Sequence, residues 1–555
     1  MRKTLLTVVL GIAVLLAACG PAARPSTTVN AAQAIAQFER ELEALRQELQ
    51  IPGLSAAIVQ DQEVIWTKGF GYADLENQIE ATPDTPYRLA SVTKPIAATL
   101  IMQLVEEGAL GLDDAVSKYG VRPESNGVVR VHHLLTHTSE GIPGTRHNYD
   151  GGRYALLGQV VEAATGQSFE TLLSERVLEP LEMTNSAPSY PECALGALES
   201  PESSARERCH AQVNRALTKP YQLDPSYRVA EGGYQSGFSP AAGLIASVSD
   251  LAKFDIALDR NALIGKESQE AMFAPAYSTH EGREDLAYGL GWYSQEYMGT
   301  RLVWHAGRWP PSTSSLYLKV PDQNLTLILL ANTTYLNTPY PMGEGDVLYC
   351  TPALAFYKAF VVPRRHGRTV PKVDWSADEE TLVKQLRPIR SATLRRVLER
   401  ELWSYRQVYT SQGKSAQASR LSRVHTRVYP RSPMSDLDSY AFQGVEYYAP
   451  VRAEAELSKA ELARLAHTYR LIKPPDIDTA DLPPKFDLQV RAGQLVGLAE
   501  EGCVSLVALT PTRFAIPENP DLILEFELDE DQVNSLMLRA GPLAVTYKPS
   551  GPSPD

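Results

Sequence analysis

Between residues 33 and 362, short apolar segments typical of strands occur at both ends of the stretch, and helical patterns lie between them. Apolar residues at helical spacing predict helices over 32–49, 91–107, 154–164 and 247–258. The predicted strands cover 54–59, 63–66, 288–292, 302–304, 314–319 and 325–330. Strands at both ends with helices between them favour one α/β (α+β) unit, an antiparallel sheet flanked by helices with a helical cluster beside it.

The sequence pattern changes after Pro363-Arg-Arg-His-Gly367. This change predicts a domain boundary at that segment. Residues 377–430 are charged and carry aliphatic side chains on recurring helical faces, whereas 460–548 reads as short strands separated by turns. That strand spacing predicts a small antiparallel barrel or sandwich. The expected units are one over 33–362, a helical segment over 370–440 and a small antiparallel β-domain over 455–550.

Length and charge limit the function classes. The 555 residues suggest about two to four domains. The 66 acidic residues outnumber the 53 basic ones, which gives a formal net charge of −13. Binding to nucleic acid needs a basic face, so we expect no nucleic-acid partner. We interpret the acidity as a contribution to solubility.

The N-terminus predicts an export signal. Arg2 and Lys3 precede an apolar stretch at 5–16, which is too short to span a bilayer easily and ends in Leu16-Ala-Ala-Cys19. This ending resembles the lipobox of bacterial lipoproteins, which implies cleavage before Cys19 and its lipidation. We therefore expect a signal peptide at 1–18, a flexible tether at 19–32 and an exported, lipid-anchored protein of the bacterial cell envelope. An ordinary secretory signal with a chance cysteine is the alternative.

Four further cysteines are Cys193, Cys209, Cys350 and Cys503. An exported protein permits disulfides, and four cysteines allow three pairings. Cys193–Cys209 is the favoured pair, because both residues lie in one polar, loop-like insertion at 185–238. No spacing of cysteine and histidine suggests zinc, so we expect no metal.

Ser91-Val-Thr-Lys94 opens the predicted helix over 91–107. If the helix begins at Ser91, Lys94 lies one turn further along the same face, which places an amine beside a hydroxyl. A hydroxyl is a poor nucleophile until a base takes its proton, and a desolvated lysine can be that base. Ser-x-x-Lys alone is weak evidence, since the chain holds a second copy, Ser411-Gln-Gly-Lys414, in a predicted polar turn.

Two later segments carry further candidate residues. Tyr149 lies five residues before Tyr154-Ala-Leu-Leu-Gly158. A tyrosine beside a lysine ammonium can become more acidic and share the role of base. His305-Ala-Gly307-Arg308 lies on a predicted strand. A glycine on an edge strand lets a substrate backbone come close, and the next N–H can then point into a cleft.

These segments, and the order in which they occur along the chain, resemble those of the serine β-lactamase-related family. That family includes class C β-lactamases, D-Ala-D-Ala carboxypeptidases and related esterases. The matching segments span residues 33 to about 335 and comprise Ser91-Val-Thr-Lys94, Leu134-Leu-Thr-His-Thr-Ser139, Tyr149, Tyr154-Ala-Leu-Leu-Gly158, Ala242-Gly-Leu-Ile-Ala-Ser-Val-Ser-Asp250, Tyr288-Gly-Leu-Gly-Trp292 and His305-Ala-Gly307. The resemblance implies a β-lactamase/transpeptidase-like fold and an acyl-enzyme on Ser91, without a metal or organic cofactor.

The resemblance also implies the roles of the other site residues. Lys94 and Tyr149 would shuttle the proton. The backbone N–H groups of Ser91 and Arg308 would form the oxyanion hole, because the family uses the residue after the glycine of the third motif, here Gly307. His305, the first residue of that motif, belongs to the same predicted catalytic group.

Two departures from the family pattern concern substrate recognition. Gly151 stands where the family has the Asn of Tyr-x-Asn, whose carboxamide hydrogen-bonds the substrate amide and the lysine. His305 replaces a lysine and is mostly neutral at pH 7, so it is a poorer anchor for a substrate carboxylate. Arg308 is the residue that could compensate.

We therefore expect a serine hydrolase that acts through an acyl-enzyme on esters, D-amino-acid peptides or β-lactam-like amides. The missing Asn favours an esterase or peptidase over a β-lactamase. The expected partners are a small-molecule or peptide substrate and, through the lipid anchor, a membrane. The alternative is a catalytically weak or inactive envelope lipoprotein that binds ligands in the same cleft. The substrate and the oligomeric state stay open.

The C-terminal part carries weaker resemblances. Residues 404–433 resemble a degenerate tetratricopeptide-type helix pair, and the strands beyond 455 resemble the small β-domain often appended to this family. We expect no catalytic role for either. A third interpretation makes them a platform for a binding partner.

Overall fold

The computed structural model describes residues 31–430, 432 and 457–552, apart from short gaps. The gaps lie at 191–202, 225–226, 233–236, 281–282, 284, 311–312, 341, 472–484, 492–493, 500–501, 517–518, 530–531 and 541–542. The predicted signal peptide, most of the predicted tether, Cys19 and Cys193 lie outside the described residues.

Fourteen of the described strands precede residue 340. They are β1 (Gly53–Gln60), β2 (Glu63–Asp74), β3 (Ile79–Glu80), β4 (Tyr87–Arg88), β5 (Ala187–Pro188), β6 (Tyr221–Leu223), β7 (Val229–Glu231), β8 (Leu244–Ala246), β9 (Tyr277–Ser278), β10 (Leu286–Tyr288), β11 (Tyr293–Tyr297), β12 (Thr300–Trp309), β13 (Thr313–Val320) and β14 (Leu325–Ala331).

A nine-stranded antiparallel sheet with the order β3-β2-β1-β14-β13-β12-β11-β10-β9 organises this part of the chain. The early strand β1 pairs with the late strand β14, and Ala57 lies opposite Ile328. Strands from both ends of the unit therefore meet in the middle of one sheet. This confirms the predicted antiparallel sheet flanked by helices.

Helices cover the sheet and continue beyond it. Up to residue 366 they are α1 (Ala31–Glu48), α2 (Thr93–Glu106), α3 (Val131–Leu135), α4 (Gly151–Ala155), α5 (Leu157–Thr165), α6 (Phe169–Leu173), α7 (Ala205–Arg215), α8 (Val248–Asp259), α9 (Lys266–Phe273), α10 (Thr351–Phe356) and α11 (Val362–His366). Ser247 caps α8 by accepting the N–H of Asp250, at 3.1 Å.

Alternate residues of the central strands face different cores. In β14, Leu327 and Leu329 belong to the core that contains α1, whereas Ile328 and Leu330 belong to the core that contains α2. Both faces of the sheet are covered, so β14 is buried along its whole length. A strand buried on both faces reads as a continuous apolar run, which is how 325–330 appears in the sequence.

The C-terminal helical segment shares the core of the sheet. It consists of α12 (Glu379–Leu386), α13 (Ala392–Ser411) and α14 (Ser415–Val428). Leu382, Leu398 and Leu421, one from each helix, belong to the same apolar cluster as α1 and β14. The core therefore continues across the boundary that Pro363-Arg-Arg-His-Gly367 predicts.

Buried ion pairs fasten the same helices to the sheet. Asp346 is fully buried and accepts hydrogen bonds from Arg400 of α13 and, at 2.7 Å, from Gln295 of β11. The Arg400 guanidinium lies between the rings of Tyr297 and Tyr349, at 4.5 and 4.7 Å from their centroids. Without Asp346 this charge would be buried and uncompensated.

The last described part is a closed antiparallel barrel, and it confirms the predicted small β-domain. It begins with α15 (Lys459–Leu465), and β15 closes the barrel by pairing with β22. Its strands are β15 (His467–Leu471), β16 (Lys485–Arg491), β17 (Gln494–Ala499), β18 (Gly502–Thr510), β19 (Arg513–Ile516), β20 (Asn519–Asp529), β21 (Gln532–Ala540) and β22 (Leu543–Pro552).

The insertion at 185–238 differs from the predicted loop because it contains the helix α7. Ser204 accepts the N–H of Glu207 while the Glu207 carboxylate accepts the N–H of Ser204, a capping box that the sequence Ser-x-x-Glu signals. The structure records Cys209 as a free cysteine whose Sγ lies 3.9 Å from the carbonyl oxygen of Thr184. Its predicted partner Cys193 lies outside the described residues, so the disulfide stays a prediction.

Among the described residues, no helix combines the length and the apolar character needed to cross a bilayer.

The buried charge of Arg400 gives a stability prediction. The substitution Asp346→Ala should lower the free energy of unfolding by about 3–5 kcal/mol, because the buried Arg400 guanidinium loses the carboxylate that pairs with it. Urea denaturation followed by tryptophan fluorescence measures the change. The matched control is Glu270→Ala, which breaks the exposed Lys266–Glu270 pair and should cost less than about 1 kcal/mol. Equal losses in the two variants would contradict a special role for the buried pair.

Candidate active site

A strained turn presents Ser91 at the start of α2. Ala90 has a φ of +46°, which a residue with a Cβ rarely adopts. Ser315 of β13 holds this turn by donating its hydroxyl to the Leu89 carbonyl at 2.6 Å, and Thr93 donates to the Ala90 carbonyl at 2.7 Å. Ala90 is buried whereas Ser91 is partly exposed, so the strain keeps one hydroxyl accessible on an otherwise buried segment.

Lys94 is the nearest basic group to that hydroxyl. Its Nζ lies 3.1 Å from Ser91 Oγ and 3.0 Å from the carbonyl oxygen of Ala241. The side chain is 1% exposed. This burial lowers the pKa of Lys94 to about 7, although the negative charge of Asp150 acts in the opposite direction. The Lys94 amine can therefore lose its charge near neutral pH and take a proton.

Aromatic rings take the place of a carboxylate around Lys94. In the described part of the chain, no carboxylate lies within ion-pair distance of its Nζ; the amine lies 4.8 Å from the ring centre of Tyr149 and 5.3 Å from that of Tyr154. A salt bridge would hold the amine protonated, whereas ring faces stabilise its charge only weakly. The surroundings of Lys94 thus permit proton exchange.

Tyr149 is held by His137, which belongs to the Leu-Leu-x-His-Thr-Ser segment. The two rings stack with centroids 4.2 Å apart. His137 Nδ1 accepts the N–H of Asp150 at 3.1 Å, and the His137 carbonyl accepts the N–H of Asn148 at 2.7 Å. Contacts on both sides of Tyr149 therefore fix its ring beside Lys94. His137 itself is buried, 3% exposed.

The Tyr149 hydroxyl keeps its proton in this environment. Although 38% of the side chain is exposed, burial of its hydroxyl end raises the pKa of Tyr149, and the contact with Ser91 lowers it by less. This is the opposite of the acidity that the sequence predicted beside a lysine. The cause is desolvation of the phenol, which is the largest effect on its pKa. A protonated Tyr149 can donate or relay a proton, and an uncharged Lys94 can accept one.

Strand β12 brings the third segment to Ser91. β11 pairs with β12 only from Thr300 to Trp304, so β12 is an edge from His305 onward. A Cβ on Gly307 would lie 2.1 Å from the Leu89 oxygen and 2.9 Å from the Ser91 nitrogen, so only glycine fits. This close approach sets the backbone of 307–308 beside the Ser91 N–H, as an oxyanion hole requires. Arg308 itself is exposed at the rim.

His305 is buried beside the site. It is 1% exposed; its Nε2 lies 2.9 Å from the Tyr288 hydroxyl and its Nδ1 lies 2.7 Å from the Ala306 carbonyl. The carbonyl can only accept, so Nδ1 carries the proton and Nε2 accepts from Tyr288. Burial lowers the pKa of His305 to about 3. The geometry therefore gives this neutral ring a packing role, in place of the predicted catalytic role.

Gly151 leaves open space at the start of α4. A Cβ built on Gly151 meets no described atom within 4 Å. Asp150 caps the same helix by accepting the N–H of Arg153 at 3.0 Å. The sequence had marked this glycine as the missing carboxamide, and the structure puts nothing from the described residues in that position.

Several contacts of the site were not predicted. The carbonyl of Ala241 fixes Lys94, and the Tyr288 hydroxyl fixes His305. Ala241 and Tyr288 lie next to or within segments that resemble the family. The spacing of residues in the sequence does not indicate, however, that a backbone carbonyl or a buried phenol will contact the site. Within the described residues, no cluster of three His, Cys, Asp or Glu side chains could hold a metal ion.

The comparisons with known proteins agree on one family. The family model described as Beta-lactamase matches residues 38–347. Protein flp of Staphylococcus aureus (strain NCTC 8325 / PS 47) is 27% identical over 346 residues, which cover 55% of this chain and 64% of that protein. Penicillin-binding protein 4* of Bacillus subtilis (strain 168) is 27% identical over 345 residues, which cover 55% of this chain and 72% of that protein.

Solved structures show a more distant likeness. The octameric penicillin-binding protein homologue from Pyrococcus abyssi is 19% identical, with a TM-score of 0.49, and the alignment covers 92% of this chain and 99% of that one. A D-stereospecific amidohydrolase from Streptomyces sp. is 20% identical, with a TM-score of 0.44, over 60% of this chain and 99% of that one. Since the family model covers more than half of the 555 residues, this chain belongs to the Beta-lactamase family.

Proposed function

We propose that this chain hydrolyses esters through an acyl-enzyme on Ser91, with D-amino-acid peptides and β-lactam-like amides as poorer substrates. One observation carries the proposal: the Lys94 amine lies 3.1 Å from Ser91 Oγ, and burial lowers the pKa of Lys94 to about 7. A general base is most effective when its pKa lies near the working pH. Membership of the family supports the same class of chemistry.

In the proposed acylation, Lys94 takes the Ser91 proton as Oγ attacks the substrate carbonyl carbon. The carbonyl oxygen becomes an oxyanion between the N–H groups of Ser91 and Arg308. Collapse of this intermediate breaks the bond to the leaving alkoxide, which takes a proton from Tyr149, and Lys94 returns the proton to Tyr149. Water then cleaves the acyl-enzyme by the reverse sequence and releases the acid.

The preference for esters follows from the residues at positions 151 and 305, which the substrate would contact. An amide substrate gains from a carboxamide at position 151, which Gly151 does not provide. A carboxylate substrate gains from a cation at position 305, where the buried His305 is neutral and bonded to Tyr288. Esters need neither contact.

The same two positions favour a second candidate, an envelope lipoprotein that binds ligands in this cleft with slow turnover or none. In both cases we propose that the chain is exported and anchored by lipid on Cys19. Turnover distinguishes the candidates: a binding protein would stop at the acyl-enzyme or not react.

The first prediction concerns the nucleophile. A serine-reactive phosphonate probe should label the full chain, and Ser91→Ala should abolish labelling, as intact-mass measurement would show. The matched control is Ser411→Ala in the second Ser-x-x-Lys copy, where Ser411 is buried and Lys414 pairs with Glu48; it should label normally. Lys94→Ala should lower ester turnover about 10²- to 10⁴-fold. Labelling that survives in Ser91→Ala would overturn the proposed function.

A second prediction concerns pH. Lys94 must be neutral to act, so kcat/KM for a p-nitrophenyl ester should fall as the pH drops through about 7. Asp150→Asn removes the charge that raises the pKa of Lys94 but keeps an oxygen to cap α4, so the acid limb should move to lower pH. Glu140→Gln, at a carboxylate that does not act on Lys94, should leave the limb in place. A shift to higher pH in Asp150→Asn would contradict the assignment of Lys94 as the base.

A third prediction restores the missing carboxamide. A side chain at position 151 meets no described atom near its Cβ, so Gly151→Asn should fold normally. It should raise the amide-to-ester ratio of kcat/KM roughly two- to tenfold, the value of one hydrogen bond. Gly151→Ala fills the same space without the amide group and should leave the ratio unchanged. An equal gain in Gly151→Ala would show that bulk, and not hydrogen bonding, decides selectivity.

A further inference from the structure

A polar cavity of about 310 Å³ opens at the end of the sheet away from Ser91. Three chain reversals meet there: the turn after β1, the turn before β12 and the turn after β13. Helix α11 packs across them. The lining side chains come from these four pieces and are Gln60, Thr300, Asp322, Gln323, Arg364 and Arg365.

The cavity is separate from the active site. Thr300 begins β12 at the cavity, whereas Gly307 of the same strand contacts the Ser91 turn. Seven residues of extended strand correspond to about 23 Å. A ligand in the cavity would therefore not touch Ser91, Lys94 or Tyr149.

Arg364 is the residue that points to a ligand. Its Nη2 donates to Gln60 Oε1 at 2.7 Å, and its guanidinium lies 5.8 Å from the centre of the Phe360 ring. Its Nη1 is buried and has no hydrogen-bond partner in the described part of the chain. Burial lowers the pKa of Arg364, and Asp61, the opposing charge that acts on it, forms no ion pair with it in that part. The side chain as a whole is partly buried, and a buried guanidinium nitrogen without an acceptor is unfavourable unless an anion completes it.

The other lining groups complete a recognition site. Arg365 donates one terminal nitrogen to the Gly299 carbonyl at 2.6 Å, which holds its charged end at the cavity. Thr300 brings a buried hydroxyl, at 1% exposure. The carboxylate of Asp322 and the buried Oε1 of Gln323, which also line the cavity, are acceptors. The cavity thus offers both guanidinium donors and acceptors for an O–H group.

We propose that this cavity binds a small oxyanion, a phosphate or carboxylate that also carries a hydroxyl. Its anionic oxygens bind Nη1 of Arg364 and the guanidinium of Arg365, because arginine matches two oxygens of such groups at once. Its hydroxyl donates to Asp322 or Gln323. The volume lies at the small end of ligand sites and suits a single phosphate ester or hydroxy acid.

The test measures binding of inorganic phosphate to the full chain that carries Ser91→Ala, so its outcome does not depend on hydrolysis. Isothermal titration should show one saturable site. Adding Arg364→Gln should weaken binding at least about tenfold, the loss expected for a charge-assisted hydrogen bond. Arg365→Gln should weaken it as well. Arg368→Gln is the matched control, because this exposed arginine of the same segment does not line the cavity, and it should bind like the parent.

Two further measurements make the result decisive. Circular dichroism melting shows whether each variant folds. If Arg364→Gln does not fold, Arg365→Gln tests the site independently. Sedimentation with phosphatidylglycerol vesicles separates the sources: pelleting that depends on Arg364 assigns the phosphate to a lipid headgroup, and binding of inorganic phosphate alone assigns a free anion. Non-saturable binding, or equal affinity in the Arg364→Gln and Arg368→Gln variants, would overturn the proposal.

Discussion

The desolvation of one lysine is the constraint on which the site depends. Lys94 lies inside α2, where the helix is buried on nearly every side, and its amine contacts Ser91, the Ala241 carbonyl and two tyrosine rings. A carboxylate at this point would keep the amine charged and would end its use as a base. The chain instead leaves Asp150 at a distance where its charge adjusts the pKa of Lys94 without forming a salt bridge.

The sheet makes this arrangement possible. The turn that carries Ser91 precedes a helix of one core, yet the side chain of Ser315 and the backbone at Gly307 reach it from strands of the central sheet. β11 stops pairing at Trp304, which turns an interior strand into an edge where the cleft needs a free backbone. The helices beyond residue 370 share the core on the opposite face, so they support the same sheet.

Local patterns in the sequence predict much of this structure. The spacing of Ser91 and Lys94 predicts their contact because one helical turn fixes it, and the segments 314–319 and 325–330 predict the strands β13 and β14. The direction of the pKa of Tyr149 could not be predicted, because it depends on how far the folded chain buries the phenol. The packing role of His305 likewise depends on a tertiary contact, the one with the Tyr288 hydroxyl. The capping box at Ser204 and Glu207 was a readable signal for α7, whereas Cys209 faces Thr184 for reasons of tertiary packing.

Under the proposed function, the residues that would perform the chemistry differ from those that would select a substrate. Ser91, Lys94, Tyr149 and the glycine at 307 lie together, and each is held by contacts that another residue type would not make. The positions that would recognise an amide or a carboxylate have become a glycine with open space around it and a buried neutral imidazole. Loss of specific polar anchors weakens discrimination more than it weakens bond making, since the oxyanion and the proton relay involve other atoms. The balance therefore favours a hydrolase whose substrates are selected by shape and by the backbone of 307–308 over one that recognises a charged peptide end.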